Sequence, residues 1–76
     1  MRELVEYMVK SLVDDPNSVY VTEEDNGAEV FLELRVAQED MGRVIGRQGR
    51  VINAMRTLVQ TCASRDDRRA SLEIIE

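Results

Sequence analysis

The sequence predicts an α+β fold whose elements run helix, strand, strand, helix, helix, strand, with a three-stranded mixed sheet carrying the helices on one face. Three observations predict it. Apolar residues recur at helical spacing in residues 1 to 13 and again after residue 50. Two runs of strict alternation flank Asn26-Gly27, which is the signature of a hairpin. Finally, Gly46 and Gly49 interrupt a helical stretch, so that two helices rather than one separate the hairpin from the last strand.

The first helix places Leu4, Val5, Met8, Val9, Leu12 and Val13 on one side, with Glu6 and Lys10 as an i, i+4 pair on the other. Asp14-Asp15-Pro16-Asn17 ends it, because proline cannot continue the hydrogen-bond ladder and disfavours helix at the residue before it. A strand is expected from about Ser18, with Val19 and Val21 inward, followed by a second with Val30, Leu32, Leu34 and Val36 inward. A two-residue type I′ turn at Asn26-Gly27 would pair Val21 with Leu32 and Val19 with Leu34. It would leave Tyr20 and Phe31 diagonal to one another on the open face, a patch available to a partner. Helix resumes near Gln38, with Glu39 and Asp40 in the first turn where the dipole favours acids. After Gly49 the spacing puts Val51, Ile52, Met55, Leu58, Val59 and Cys62 on a core face, with Cys62 a buried small hydrophobe. Arg65-Asp66-Asp67-Arg68 breaks that helix, and Ala70, Leu72 and Ile74 alternate as a last strand. The two-helix crossover requires this strand to lie parallel to the second.

Residues 1 to 76 are too few for more than one domain, and a core of this size supplies only roughly 3 to 5 kcal/mol, so a partner chain is expected. No apolar run approaches the roughly 18 residues that span a bilayer, and the first residues lack a signal peptide's apolar region. A cytoplasmic protein without membrane association is expected. With no histidine and one cysteine, there is no internal disulfide, no His- or multi-Cys-based metal site and no histidine general base; no cofactor is expected. The net charge of −5 is unevenly placed. Residues 1 to 40 carry eleven acids against three bases, and residues 66 to 76 four acids against two. Between them lie Arg43, Arg47, Arg50, Arg56 and Arg65 with no acid at all. On charge alone the basic island reads as an ordinary solvated helix face before it reads as a local attractive surface for an anion.

Three of the four glycines fall in Gly42-Arg43-Val44-Ile45-Gly46-Arg47-Gln48-Gly49-Arg50-Val51-Ile52. Their spacing fits neither the dinucleotide G-x-G-x-x-G nor the P-loop, and a mononucleotide-binding enzyme is not expected on that ground. It does fit the KH pattern V-I-G-x-x-G-x-x-I, from Val44 to Ile52. Glycines let a tight turn approach a sugar-phosphate strand closely, and the following helix N-terminus offers N–H groups and positive potential to phosphate. Arg47 and Arg50 add full charges, and Gln48 a hydrogen-bonding amide. Val44, Ile52, Met55 and Leu58 also stand at core spacing, a role favoured for the last two, while Ile45 suits both. Thr57 and Gln60 lie farther along the helix, away from the loop.

In this motif, in element order, in length and in the closing Leu72-Glu73-Ile74-Ile75-Glu76, the chain resembles the small bacterial single-KH proteins of the KhpA family, whose fold is the type II KH arrangement. The resemblance implies a non-enzymatic protein that binds single-stranded RNA through Gly42, Arg43, Ile45, Gly46, Arg47, Gln48, Gly49, Arg50, Ile52 and Asn53. It implies a homodimer, or a heterodimer with a larger KH-containing RNA-binding protein, acting as a post-transcriptional regulator or RNA chaperone and in cell-envelope or cell-size control. The competing reading is a dimerisation subunit with a KH fold and incidental RNA contact.

Overall fold

A computed structural model describes residues 1–76. Six principal elements follow in the expected order: α1 (Arg2–Lys10), β1 (Tyr20–Asp25), β2 (Glu29–Arg35), α2 (Met41–Ile45), α3 (Arg50–Ser64) and β3 (Arg69–Ile74). Short 3₁₀ turns occupy Pro16–Ser18, Gln38–Asp40 and Arg47–Gly49. The sheet order is β1-β2-β3, with β1 antiparallel and β3 parallel to β2. This is the mixed α+β sheet that the hairpin and the two-helix crossover require.

Period-two alternation in β2 buries Val30, Leu32 and Leu34, and the neighbouring strands add Val21 and Leu72 to the same face. Val5 and Val9 of α1, Val44 of α2, and Ile52, Met55 and Val59 of α3 close over them as one cluster. Leu32, Leu34 and Leu72 are wholly buried and contribute about 2 kcal/mol each. Lys10 and Glu6 form the expected pair at 3.7 Å, and the start of α1 is tied to β1 by the Arg2 N–H, which donates to Glu23 Oε1 at 2.9 Å.

The hairpin departs from the expected register. Val21 pairs with Leu34 and Glu23 with Leu32, a shift of two residues. A type I′ turn needs positive φ at both central residues, and here only Gly27 has it, at 93°. Side chains shape a wider turn instead: Asn26 Oδ1 accepts the N–H groups of Ala28 and Glu29 at 3.1 and 2.8 Å, and Asp25 Oδ1 accepts that of Gly27 at 2.9 Å. The Gly27 N–H, with Arg68 pairing to the same carboxylate, holds the Asp25 carboxyl below its ordinary value. An even shift keeps every side chain on its face, so the valines remain inward and Tyr20 and Phe31 outward. The two aromatics are no longer diagonal neighbours, since Tyr20 lies opposite Arg35 and Phe31 opposite Glu24.

Two further expectations are corrected. The buried seam of α3 is Ile52, Met55, Val59 and Ala63, which rotates Leu58 and Cys62 out to solvent. Asp40 belongs to a 3₁₀ turn and is buried, its carboxylate accepting the backbone N–H groups of Asp14 and Asp15 at 3.0 and 3.1 Å. It thereby fastens the segment after α1 to the start of α2. Its charge is met by Arg43 Nε at 3.6 Å.

Candidate nucleic-acid interface

The turn between α2 and α3 is built from backbone conformations that side chains disfavour. Gly46 has φ +77° and ψ 171°, and a Cβ there would lie 2.8 Å from the Val51 backbone nitrogen, so neither the angle nor the space admits another residue. Gln48 and Gly49 are both left-handed, with φ of 56° and 76°. The Gly49 N–H donates to the Gly46 carbonyl at 3.1 Å and closes the turn, after which α3 begins at Arg50. The result is a narrow knuckle with Arg47 and Gln48 exposed at its tip and Arg50 exposed beside it. The three sit where the α3 N-terminus contributes partial positive charge.

The residues of the V-I-G-x-x-G-x-x-I pattern divide by role. Val44 and Ile52 are core, at 0% and 5% exposure, and hold α2 and α3 on the sheet. Ile52 is thus placed beneath the surface that the sequence assigned it to. Ile45 and Gly46 are half-buried at the foot of the knuckle, Gly49 is half-buried at its far side, and Gly42 is exposed on α2. Arg43 points elsewhere: its Nη2 pairs with Asp14 Oδ2 at 2.9 Å and its Nε faces Asp40, so its charge is already met within the protein.

Asn53 is exposed one turn into α3 and leads to a groove that the sequence reading missed. This groove, of about 610 Å³, runs between α3 and β3 and is lined by Arg56, Thr57, Gln60, Thr61, Leu72 and Glu73, among others. Thr57 and Gln60 are therefore part of the surface that begins at the knuckle rather than remote from it. The groove exists because β3 is an edge strand. Its Arg69 and Ile75 N–H groups donate to the Ala28 and Leu34 carbonyls of the β2 side, so by alternation Ala70, Leu72 and Ile74 turn their backbone groups outward. Two side chains of α3 reach across: Arg56 Nε donates to the Leu72 carbonyl at 2.9 Å, and Gln60 Oε1 accepts the Ala70 N–H at 3.0 Å. The helical spacing of Asn53, Arg56 and Gln60 was visible in the sequence, but that they face a strand edge depends on where β3 docks.

A G-x-x-G knuckle joining two helices on a sheet of this order defines a type II KH domain. The chain belongs to the KhpA/KhpB KH-domain family, whose family model matches residues 2–74. It is similar to the RNA-binding protein KhpA of Listeria monocytogenes, with 49% identity over 76 residues covering both chains completely. It is similar also to the RNA-binding protein KhpA of Clostridium perfringens, 48% identical over 75 residues that cover 99% of this chain and all of that one. The RNA-binding protein KhpA of Borreliella burgdorferi is 46% identical over 97% of this chain and 90% of its own length. No solved structure matches the chain.

Proposed function

We propose that this protein is a non-enzymatic, single-stranded RNA-binding protein, and that the knuckle from Gly46 to Gly49 carries the contact. The observation that supports this most is the knuckle itself: backbone without side chains at Gly46 and Gly49, flanked by exposed Arg47, Gln48 and Arg50 at a helix N-terminus. The sugar-phosphate strand approaches there, and bases splay into the adjoining groove between α3 and β3. Gly42, Ile45 and Asn53 border the path. Ile52 acts from below by fixing α3, and Arg43 joins only where a phosphate displaces Asp14. The names of the KhpA relatives agree with RNA as the ligand.

Replacing Arg47 and Gln48 together with aspartate sets two negative charges where phosphate would lie. Both side chains are exposed, so stability should change by no more than about 0.5 kcal/mol. Single-stranded RNA binding should be lost, while a variant with the same change in net charge, Lys10→Asp with Asn17→Asp, binds as the parent does. Anisotropy titration with circular dichroism as the fold check reads both. A folded double variant at Arg47 and Gln48 that binds normally contradicts the proposal.

The whole chain, residues 1–76, is proposed to act as one KH module in the cytoplasm, paired with a second copy or with a larger KH-containing RNA-binding protein, in post-transcriptional control. One observation supports the pairing. Leu4, Tyr7 and Leu12 of the α1 region and Leu58 of α3 are exposed at 38%, 74%, 41% and 49% on the helical face. Tyr7, Leu12 and Leu58 border an apolar groove also lined by Val51, Ala54 and Met55. On the sheet face Phe31 stands instead among Thr22, Glu24 and Glu33, with Tyr20 opposite Arg35, a poorer docking surface. Sedimentation at micromolar concentration should show a species larger than the monomer that Tyr7→Glu with Leu58→Glu dissociates. A parent that remains monomeric, alone and in cell extract, contradicts the pairing.

A further inference from the structure

We propose that the groove between α3 and β3 selects guanine, with Arg56 as the specificity-determining residue; this rests on the RNA reading above and names the base that the groove accepts. The selection comes from which hydrogen-bonding groups the protein has already consumed. At the centre of the β3 edge, Leu72 turns both its N–H and its carbonyl outward, a donor beside an acceptor. The acceptor is occupied, because Arg56 Nε–H donates to it at 2.9 Å. One residue pair along, Gln60 Oε1 accepts the Ala70 N–H at 3.0 Å, which fixes the amide so that its NH₂ group faces the groove.

What remains accessible at the strand side is a pair of donor groups, the Gln60 amide hydrogens and the Arg56 Nη hydrogens, while the Leu72 N–H is buried. Nη1 gives one hydrogen to Asn53 Oδ1 at 3.1 Å, which braces the guanidinium and leaves hydrogens unspent on both Nη atoms. Acceptors stand on the flanks. Thr57 and Thr61 donate their hydroxyl hydrogens to the Asn53 and Thr57 carbonyls at 3.1 and 2.8 Å, so only oxygen lone pairs face outward. The Glu73 carboxylate lies 4.0 Å from Arg56 Nη2.

Guanine matches this arrangement on both sides. Its O6 and N7 form an acceptor pair suited to a guanidinium, and its N1–H and N2 amine supply donors to the flanking acceptors. Adenine places its N6 amine where guanine has O6, so a donor would meet donors, and the nearest carbonyl, that of Leu72, is buried beneath the Arg56 guanidinium that donates to it. Cytosine also sets two acceptors side by side, O2 and N3, but presents one donor group beyond them, the N4 amine, where guanine presents two; uracil separates its carbonyls by N3–H.

The test uses the full chain and an oligoadenosine hexamer, with one central position replaced in turn by guanosine, 7-deazaguanosine, cytidine and uridine, and affinity read by anisotropy. The guanosine hexamer should bind about tenfold more tightly than the adenosine one. The 7-deaza form, lacking the N7 acceptor, should lose most of that gain. Arg56→Gln should bind every hexamer alike, at the level of the adenosine one. Equal binding of the guanosine and adenosine hexamers by the parent overturns the base selection and leaves RNA binding standing. Failure to bind any hexamer overturns both. A guanosine preference that survives in Arg56→Gln removes Arg56 from the role, and should that variant not fold, Arg56→Lys, which keeps the charge but not the paired donors, decides the same point.

Discussion

Gly42, Gly46 and Gly49 look alike in the sequence, yet their surroundings separate them. Gly46 combines a left-handed φ with a Val51 backbone that any Cβ would strike, whereas Gly42 lies in α2 at an ordinary helical angle with nothing within 4 Å of a Cβ. Gly46→Ala should therefore lower stability by about 1–3 kcal/mol and reshape the knuckle. Gly42→Ala should be neutral or stabilising by up to about 1 kcal/mol, since alanine restricts the unfolded chain more than glycine does. Urea unfolding of the two variants reads the contrast directly. Arg43 and Arg56 teach the same lesson about charge. Both belong to the basic island, but Arg43 is committed to Asp14 and Asp40 while Arg56 spans a groove. Sequence position gives the sign of a charge, and the fold decides whether a ligand can use it.

At the level of elements, Asp40 is the joint between the segment after α1 and the helix that leads into the knuckle. Its buried carboxylate is the sole side-chain acceptor for the Asp14 and Asp15 N–H groups. Asp40→Ala would strand those donors and release Arg43, and should lower stability by about 2–3 kcal/mol in chemical denaturation, while Glu39→Ala, on the exposed neighbour, should change it by less than about 0.5 kcal/mol. Nothing in the sequence singled out Asp40 from Glu39, because acids near a helix start are ordinary and the partner N–H groups lie 25 and 26 residues away. What was legible at this scale is what local periodicity encodes: both long helices, the inward faces of all three strands and the parallel crossover. The hairpin register was not, because Asn26-Gly27 permits several turns, and the side-chain acceptors on Asp25 and Asn26 chose the wider one. The rotation of α3 by one position, which exposes Leu58 and Cys62, likewise follows from how the helix settles on the sheet.

Taken as a whole, the molecule keeps most of its acids away from the proposed binding surface, with Glu73 in the groove as the exception. The first forty residues build α1 and the hairpin, which carry most of the negative charge, and the acid-free segment from residue 41 to residue 65 builds the knuckle and the groove wall. A protein of net charge −5 can in this way offer phosphate a positive surface, though one whose attraction is short-ranged and sensitive to salt. The motif made the knuckle readable from sequence alone. The groove beside it was not, since it joins α3 to a strand edge that only the sheet order exposes. The most direct test of the central claim is backbone amide chemical-shift mapping of the protein titrated with a short single-stranded RNA. The account predicts that the perturbed amides cluster at Gly46 to Arg50 and continue along Asn53, Thr57 and Gln60 to the outward residues Ala70 and Leu72, with Tyr20, Phe31 and Tyr7 unmoved. Perturbations confined to the sheet face around Tyr20 and Phe31, or to the α1 face around Tyr7, with the knuckle silent, would contradict it.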